Sequence, residues 1–384
     1  MVTLEHHRAL IRRGRTLHLA HVPTALPDAG GLQVALSYVG VCGTDLQILN
    51  GSRPDTAEIL GHEGVGVVVK TSGVGKIPLG EQVVFNPAAQ LSEGRILGHN
   101  IPGIFQQYIT LEPQAVDDGL VMVAKDCSTA LCGILVEPLA CIVYAHALLA
   151  IKVPDIRTAV VFGAGPVGIL AVTYLKGLGV KTFLIHPDPV RLHTVERLGI
   201  AGAETTLMTA DNVHEQIVAC NGGRPIDTAL ICATRIGAPS ALRQAIRVVR
   251  DGGCIDLVTN YPESETGTLP VSASALRKVR SENVCGLPRE GKYLDAMIEG
   301  RHVAFTGHRG TSHAHLRQAM RTLCSDEAAY TRMITHVLPL DEAANAIQTL
   351  SESRSHTVLG RDCVKLVIDM CGSTQKTDFR RSDL

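Results

Sequence analysis

Two kinds of hydrophobic pattern follow one another along the chain. Over residues 1–150, short β-like runs such as Leu32–Val39, Gly64–Lys70 and Glu81–Phe85 are broken by glycine and proline. Many short strands separated by turns predict a barrel-like β domain. Over residues 158–301 the apolar runs Ala159–Phe162, Phe183–Ile185, Thr228–Cys232 and Cys254–Val258 alternate with stretches of helical period such as Ile169–Leu178. Runs that are apolar throughout, at strand length, fit strands buried on both faces of a parallel sheet with helices between them. Residues 302–384 add one more strand-like run, a helix over Asp341–Leu350 and a last strand over Val364–Ile368. The polar stretch Gly372–Leu384 reads as a frayed end.

Composition narrows the classes. A length of 384 residues makes two domains the natural expectation, and 45% hydrophobic with 19% charged residues suits sizeable cores. A formal net charge of -1 gives no electrostatic case for nucleic acid or an acidic membrane surface. No apolar run reaches the roughly 18 residues of a membrane span, and the charged start of the chain lacks the apolar core of a signal peptide. The expectation is a cytoplasmic protein with neither nucleic acid nor membrane as partner. The 11 cysteines lack disulfide-like spacing and read as reduced, mostly small buried residues. With no tryptophan and 3% aromatics, a stacking surface for sugars or bases is not expected.

Gly163-Ala164-Gly165-Pro166-Val167-Gly168 follows one of the apolar runs and opens a helical pattern. In that setting it reads as a dinucleotide turn. Gly163 permits the tight turn, Gly165 lets backbone approach a pyrophosphate, and Gly168 lets helix and strand pack closely. The helix start, with Pro166 opening it, offers amide donors to phosphate from Val167 onward. Where the next strand usually ends in an acid that binds the ribose diol, this chain has His186. Without that carboxylate a 2′-phosphate meets no repulsion there, and Arg191 is in range to contact one. Asp188 is equally placed to restore a preference for NAD, so NAD and NADP both stay open.

A second constellation carries a thiol, an imidazole and carboxylates: Cys42-Gly43-Thr44-Asp45, Gly61-His62-Glu63 and Glu137-Pro138-Leu139-Ala140. Three such ligands plus an open position make a catalytic zinc site. Each residue also has a plainer reading alone: Cys42 as a small buried residue, His62 as part of a turn, Glu137 as an acid favoured at a helix N-terminus. Cys141 and His146 fall on the same expected helix as Glu137 and are rival ligands, and core packing accounts for both equally well.

The order of these motifs resembles the zinc-dependent medium-chain dehydrogenase/reductase superfamily, the sorbitol, glucose and threonine dehydrogenase branch above all. The resemblance implies an α/β fold: a GroES-like β-barrel catalytic domain over 1–152, a Rossmann-type doubly wound parallel sheet over 153–302, and a segment 303–384 returning to the catalytic domain. It implies Cys42, His62 and Glu137 as zinc ligands, with Glu63 as a carboxylate that approaches the metal. Thr44 is then the hydroxyl that relays the substrate proton, and Asp45 the acid that orients His62. The implied activity is NAD(P)-linked oxidation of a secondary alcohol of a polyol, cyclitol, sugar derivative or amino alcohol. The implied assembly is a homodimer or homotetramer.

Two departures stand out. The segment Asn86–Asn100 has no cysteine where relatives carry four that hold a structural zinc, so one catalytic zinc and no structural zinc is expected. Gln47 stands where a histidine often ends the proton relay, leaving ribose hydroxyls, water or another histidine such as His99 for that task. The polar run Thr306–His313 reads either as a substrate or cofactor contact through His308 or Arg309, or as a solvated loop.

Overall fold

The computed structural model describes residues 5–73, 76–125, 129–262, 270–286, 291–353 and 356–372; the expected frayed end from 373 onward lies outside them. The chain divides into two compact units, one of residues 1–125 with 334–384 and one of residues 126–333.

The first unit is built on a mixed seven-stranded sheet. Its strands run in the order Ile334–Pro339, Lys365–Asp369, Leu32–Gly40, Glu63–Thr71, Gln82–Phe85 and Val121–Val123, with Tyr108–Leu111 also paired to Leu32–Gly40. Apart from the parallel first pair the neighbours are antiparallel. A hairpin of His6–Arg13 and Thr16–Pro23 precedes the sheet. Leu32, Val34, Leu36, Val68, Val83 and Phe85 bury their side chains in one core with Ile347, Leu366 and Ile368 from the chain's end. The C-terminal stretch therefore belongs to this unit because its apolar side chains complete this core.

The second unit is an α/β sandwich around a seven-stranded sheet. The order is Thr205–Thr209, Lys181–His186, Thr158–Phe162, Ile226–Ile231, Val249–Asp256, Arg301–Thr306 and Leu294–Ile298. All pairs are parallel except the last, a hairpin at the edge. Strand order reverses between Thr158–Phe162 and Ile226–Ile231, the switch point where such sheets open a crevice for ligands. The glycine turn lies there. Gly163 has φ +111°, and a Cβ at Gly168 would stand 1.8 Å from the Gly163 carbonyl oxygen. A side chain at Gly168 would separate helix from strand, and one at Gly163 would meet the Cys232 carbonyl oxygen at 2.7 Å.

The division falls elsewhere than at the expected 152 and 302. Helix Val136–Lys152 packs on helices Pro166–Gly177 and His313–Ser325 and on strands Val249–Asp256 and Arg301–Thr306. Both helices flanking the expected dinucleotide domain thus belong to it. An apolar helix face states that something covers it, and the sequence does not say what.

One residue of this sheet is costly. Asp256 ends its strand fully buried, and neither carboxylate oxygen has a hydrogen-bond partner. Burial pushes its carboxyl up to about 7, with Arg280 opposing. The folded chain therefore keeps a proton that the unfolded chain, with a carboxyl near about 3.9, gives up much earlier. Stability should fall as pH rises from about 4 to about 7 and level off above. Asp256→Asn is expected to flatten this slope, which denaturant midpoints across that pH range will measure; a slope identical to wild type would reject the assignment.

Candidate metal and dinucleotide sites

The strand Leu32–Gly40 runs into Cys42, which caps the helix Gly43–Leu49. The next strand, Glu63–Thr71, starts directly after His62 and pairs back along the first, Gly40 opposite Glu63. This antiparallel register brings together residues twenty positions apart. Ligand atoms of Cys42, His62 and Glu63 lie within 4.8 Å of one another, the one group of three or more such residues among the described residues. His62 and Glu63 are buried and Cys42 is half-buried. Thr44 is half-buried in the first turn of the helix, and Gln47 lies one turn on.

Asp45 binds backbone on both sides of the cluster. Its carboxylate accepts from the Cys42 N–H at 2.9 Å and the Gly61 N–H at 3.1 Å. His62 Nδ1 stands 3.6 Å from Asp45 Oδ1, just beyond hydrogen-bond length, and forms an ion pair with it when the ring is protonated. Asp45 thus orders the two ligand loops and acts on the imidazole through its charge.

Glu63 is held by a residue the motifs do not include. Its carboxylate pairs with the Lys365 ammonium, and both side chains are buried. Lys365 also donates to the Val41 carbonyl at 3.1 Å. Gly40 makes room for the pair, since a Cβ there would stand 2.9 Å from Lys365 Cε and 3.0 Å from Glu63 Oε2. The available signal was a lysine inside the apolar run Val364–Ile368, where a cation needs a partner.

The electrostatics suit a cation. Burial, then the Glu63 carboxylate, push the Cys42 thiol above its ordinary value. Burial depresses the His62 imidazole, but the Asp45 carboxylate and Cys42 outweigh it and hold the ring well above the histidine range. Burial likewise works against the Lys365 charge, and Glu63 and then Cys42 more than restore it. Without a metal the cluster keeps its protons; a divalent cation would displace them from thiol and imidazole. Thiolate, imidazole and carboxylate form a donor set that zinc accepts.

Glu137 lies in the second unit, near the start of helix Val136–Lys152, with Cys141 one turn on and its sulfur 3.7 Å from Glu137 Oε1. His146 packs edge-on against Tyr174 at 5.5 Å. Contrary to the solvated-loop reading of Thr306–His313, Thr306, His308 and Thr311 are buried. The His308 ring lies tilted at 47° to that of Tyr144 with centroids 4.5 Å apart, and the Asn283 side chain donates to Thr306 Oγ1 and the Gly307 carbonyl.

Pro166 and Val167 open the helix Pro166–Gly177, capped by Gly165. A Cβ at Gly165 would meet nothing within 4 Å, so that face of the turn is open, as an approaching pyrophosphate requires. His186 ends its strand, and the Asp188 N–H donates to His186 Nδ1 at 3.1 Å. Asp188 Oδ1 accepts from the Val190 N–H at 2.9 Å, capping the helix Pro189–Arg197. Arg191 is buried at 4% exposure in the first turn of that helix.

Comparisons with known proteins agree with this assembly. Residues 28–118 match the model of the alcohol dehydrogenase GroES-like domain, and residues 166–295 match that of the zinc-binding dehydrogenase domain, together more than half of the chain. The chain belongs to the zinc-dependent medium-chain dehydrogenase/reductase superfamily, in its sorbitol-dehydrogenase-like branch. It is 28% identical over 360 residues to a glucose 1-dehydrogenase of Thermoproteus tenax, covering 86% of this chain and 92% of that one. It is 29% identical over 192 residues to a 2-dehydro-3-deoxy-L-galactonate 5-dehydrogenase of Pseudoalteromonas atlantica, a match spanning 45% of this chain and 54% of that relative. In fold it is similar to the crystal structure of 2R,3R-butanediol dehydrogenase from Bacillus subtilis, with a TM-score of 0.72, 20% identity, and coverage of 94% and 99% of the two chains. No helix among the described residues is long and apolar enough to cross a membrane.

The buried pair makes a direct prediction. In metal-free protein, Lys365→Met leaves Glu63 charged and unpaired and should cost about 3–5 kcal/mol. Adding Glu63→Gln should recover most of that loss. Denaturation of both variants checks it, and a double variant no more stable than the single one would reject the pairing.

Proposed function

We propose that this protein is a zinc-dependent, NAD(P)-linked dehydrogenase that oxidises a secondary alcohol of a small polar substrate to the ketone. The buried Cys42–His62–Glu63 cluster, in a chain that also carries the open Gly163–Gly168 turn, supports this reading above all. Bound zinc would supply Lewis acidity toward a hydroxyl oxygen, and a bound nicotinamide would supply the hydride acceptor.

The chain's own residues have the remaining tasks. Cys42 and His62 hold the metal, with Glu137 as third ligand and Glu63 as the carboxylate kept in reserve by Lys365. Asp45 fixes the two ligand loops through their backbone. Thr44 takes the proton that the alcohol loses as its C–H gives up hydride. Gly163, Gly165 and Gly168, with Pro166 and the backbone N–H groups from Val167 onward, would hold the pyrophosphate, and His186 and Arg191 would take the adenosine ribose. The polyol, cyclitol and sugar classes are favoured by the branch, whose curated relatives include sorbitol dehydrogenases and an (R,R)-butanediol dehydrogenase of Bacillus subtilis. One zinc per chain and a homodimer or homotetramer complete the reading.

Metal analysis and a screen of polyols and cyclitols, followed by NAD(P)H absorbance, test it. Wild type should contain one zinc and lose turnover on chelation. Cys42→Ser should lose the metal and lower kcat/KM by on the order of 10³-fold, equivalent to several kcal/mol of lost Lewis-acid stabilisation. Glu137→Ala should retain less zinc than Cys141→Ala. Full turnover in zinc-free protein would instead identify a zinc-free reductase of the same superfamily.

A further inference from the structure

Asp256 lies on the face of its strand that carries helix Val136–Lys152. Side chains alternate along a strand, and Ile255 buries in the core of the opposite face with Leu242 and Ile246 of helix Ala238–Val248. The Asp256 carboxyl therefore points toward helix Val136–Lys152, which packs on this strand. Tyr144 follows Glu137 by seven positions on that helix, so the two share one helix face. The Tyr144 ring is buried, stacked on His315 at 4.3 Å and tilted against His308 at 4.5 Å.

The seam beneath this helix suits a neutral carboxyl and not a carboxylate. Neither Asp256 oxygen has a hydrogen-bond partner. Directly opposite on one neighbouring strand is Thr306, whose hydroxyl already donates to the Lys292 carbonyl at 3.0 Å. Opposite on the other is Leu230. Thr228, two positions before Leu230 on the same face, has a buried hydroxyl with no partner. The groups in electrostatic reach are Tyr144, Tyr293, Cys232, Cys254 and Arg280. Burial pushes both phenols and both thiols above their ordinary values, so all four stay neutral. Burial also depresses the His308 and His315 imidazoles beside Tyr144, which leaves them neutral. Arg280 is the one cation of the set, and its Nε and Nη2 donate to the Leu257 and Val258 carbonyls, both at 3.2 Å. Asp256, pushed up to about 7 by burial against Arg280, is the member that changes charge near neutrality.

An unpaired buried carboxylate must gain water or move. The strand is bonded to neighbours on both sides, whereas the helix rests on it through side chains, so the helix is the part that can yield. We propose that Asp256 is a proton-operated latch on helix Val136–Lys152: protonated, it lets the helix seat on the sheet, and ionised, it drives the helix to lift locally and admit water. The latch itself needs no metal. Its bearing on the metal rests on the reading of Glu137 as a zinc ligand, because the face that lifts carries Glu137.

Hydrogen exchange of the full-length protein, corrected for intrinsic rates, tests the latch without reference to zinc. In the lifted state the carboxyl meets water and returns to its ordinary range, so each opening releases one proton. Protection of the amides in Leu139–Leu149 should then fall about tenfold per pH unit between about pH 5 and 7 and level off above. Asp256→Asn, similar in shape but without the proton, should remove the slope. If that variant fails to fold, Asp256→Leu should remove it likewise. Amides of strand Thr158–Phe162, in the same unit, should stay better protected than the helix throughout. Wild-type helix protection independent of pH would overturn the proposal, as would a slope kept in either variant. Helix amides protected equally with that strand would also overturn it, because the helix would then open only with the whole unit.

Discussion

A buried carboxylate, Glu63, and a buried ammonium, Lys365, meet over a glycine, and much of the first unit follows from that contact. Neither charge is tolerable alone at near-zero exposure, because desolvation of an unpaired ion costs several kcal/mol. Lys365 lies 302 positions further along the chain. The C-terminal strand must therefore insert beside Leu32–Gly40 before Glu63 has its counter-charge. Gly40 pairs with Glu63 on one side and Val367 on the other, which is why the two charges converge at that point. The return of the chain to the first unit is thus an electrostatic requirement as well as a matter of apolar burial.

The same cluster explains why its titratable groups share so small a volume. Asp45, Glu63, Cys42, His62 and Lys365 are mutually dependent: each carboxylate has a donor or cation facing it, and thiol and imidazole hold protons that a metal would release. Asp45 stiffens the Cys42 and Gly61 loops and also faces the His62 imidazole, its Oδ1 3.6 Å from Nδ1. In the second unit the constraint is steric. Gly168 allows a helix to approach its strand within a distance that excludes any Cβ, Gly163 does the same for the neighbouring backbone at Cys232, and Gly165 leaves its outer face open.

Much of this was legible in the chain. The strands at Leu32, Glu63, Gln82, Thr158, Lys181 and Ile226 stand where apolar runs and glycines put them, because local pattern and burial agree there. Cys42 and His62 were legible as a pair because antiparallel pairing of adjacent strands joins near neighbours in sequence. Lys365 was not, since pairing across 302 positions leaves only a lysine in an apolar strand as its trace. The polar run at Thr306–His313 divides instead: Thr306, His308 and Thr311 are buried, with Asn283 donating to Thr306 Oγ1 and the Gly307 carbonyl, while Arg309 is exposed.

The sequence by itself determined the two classes of unit, the order of their strands and helices, the glycine turn and the thiol–imidazole pair. These depend on residue types at short spacing, which chain stereochemistry converts directly into local structure. Tertiary structure alone decided where the units divide, which cation faces Glu63, that Asp188 caps a helix, and that a cysteine-free segment lays His99 near His62, ring centroids 5.0 Å apart. Those outcomes depend on which surfaces meet. Periodicity reports that a face is buried, and only the folded chain supplies the partner that buries it.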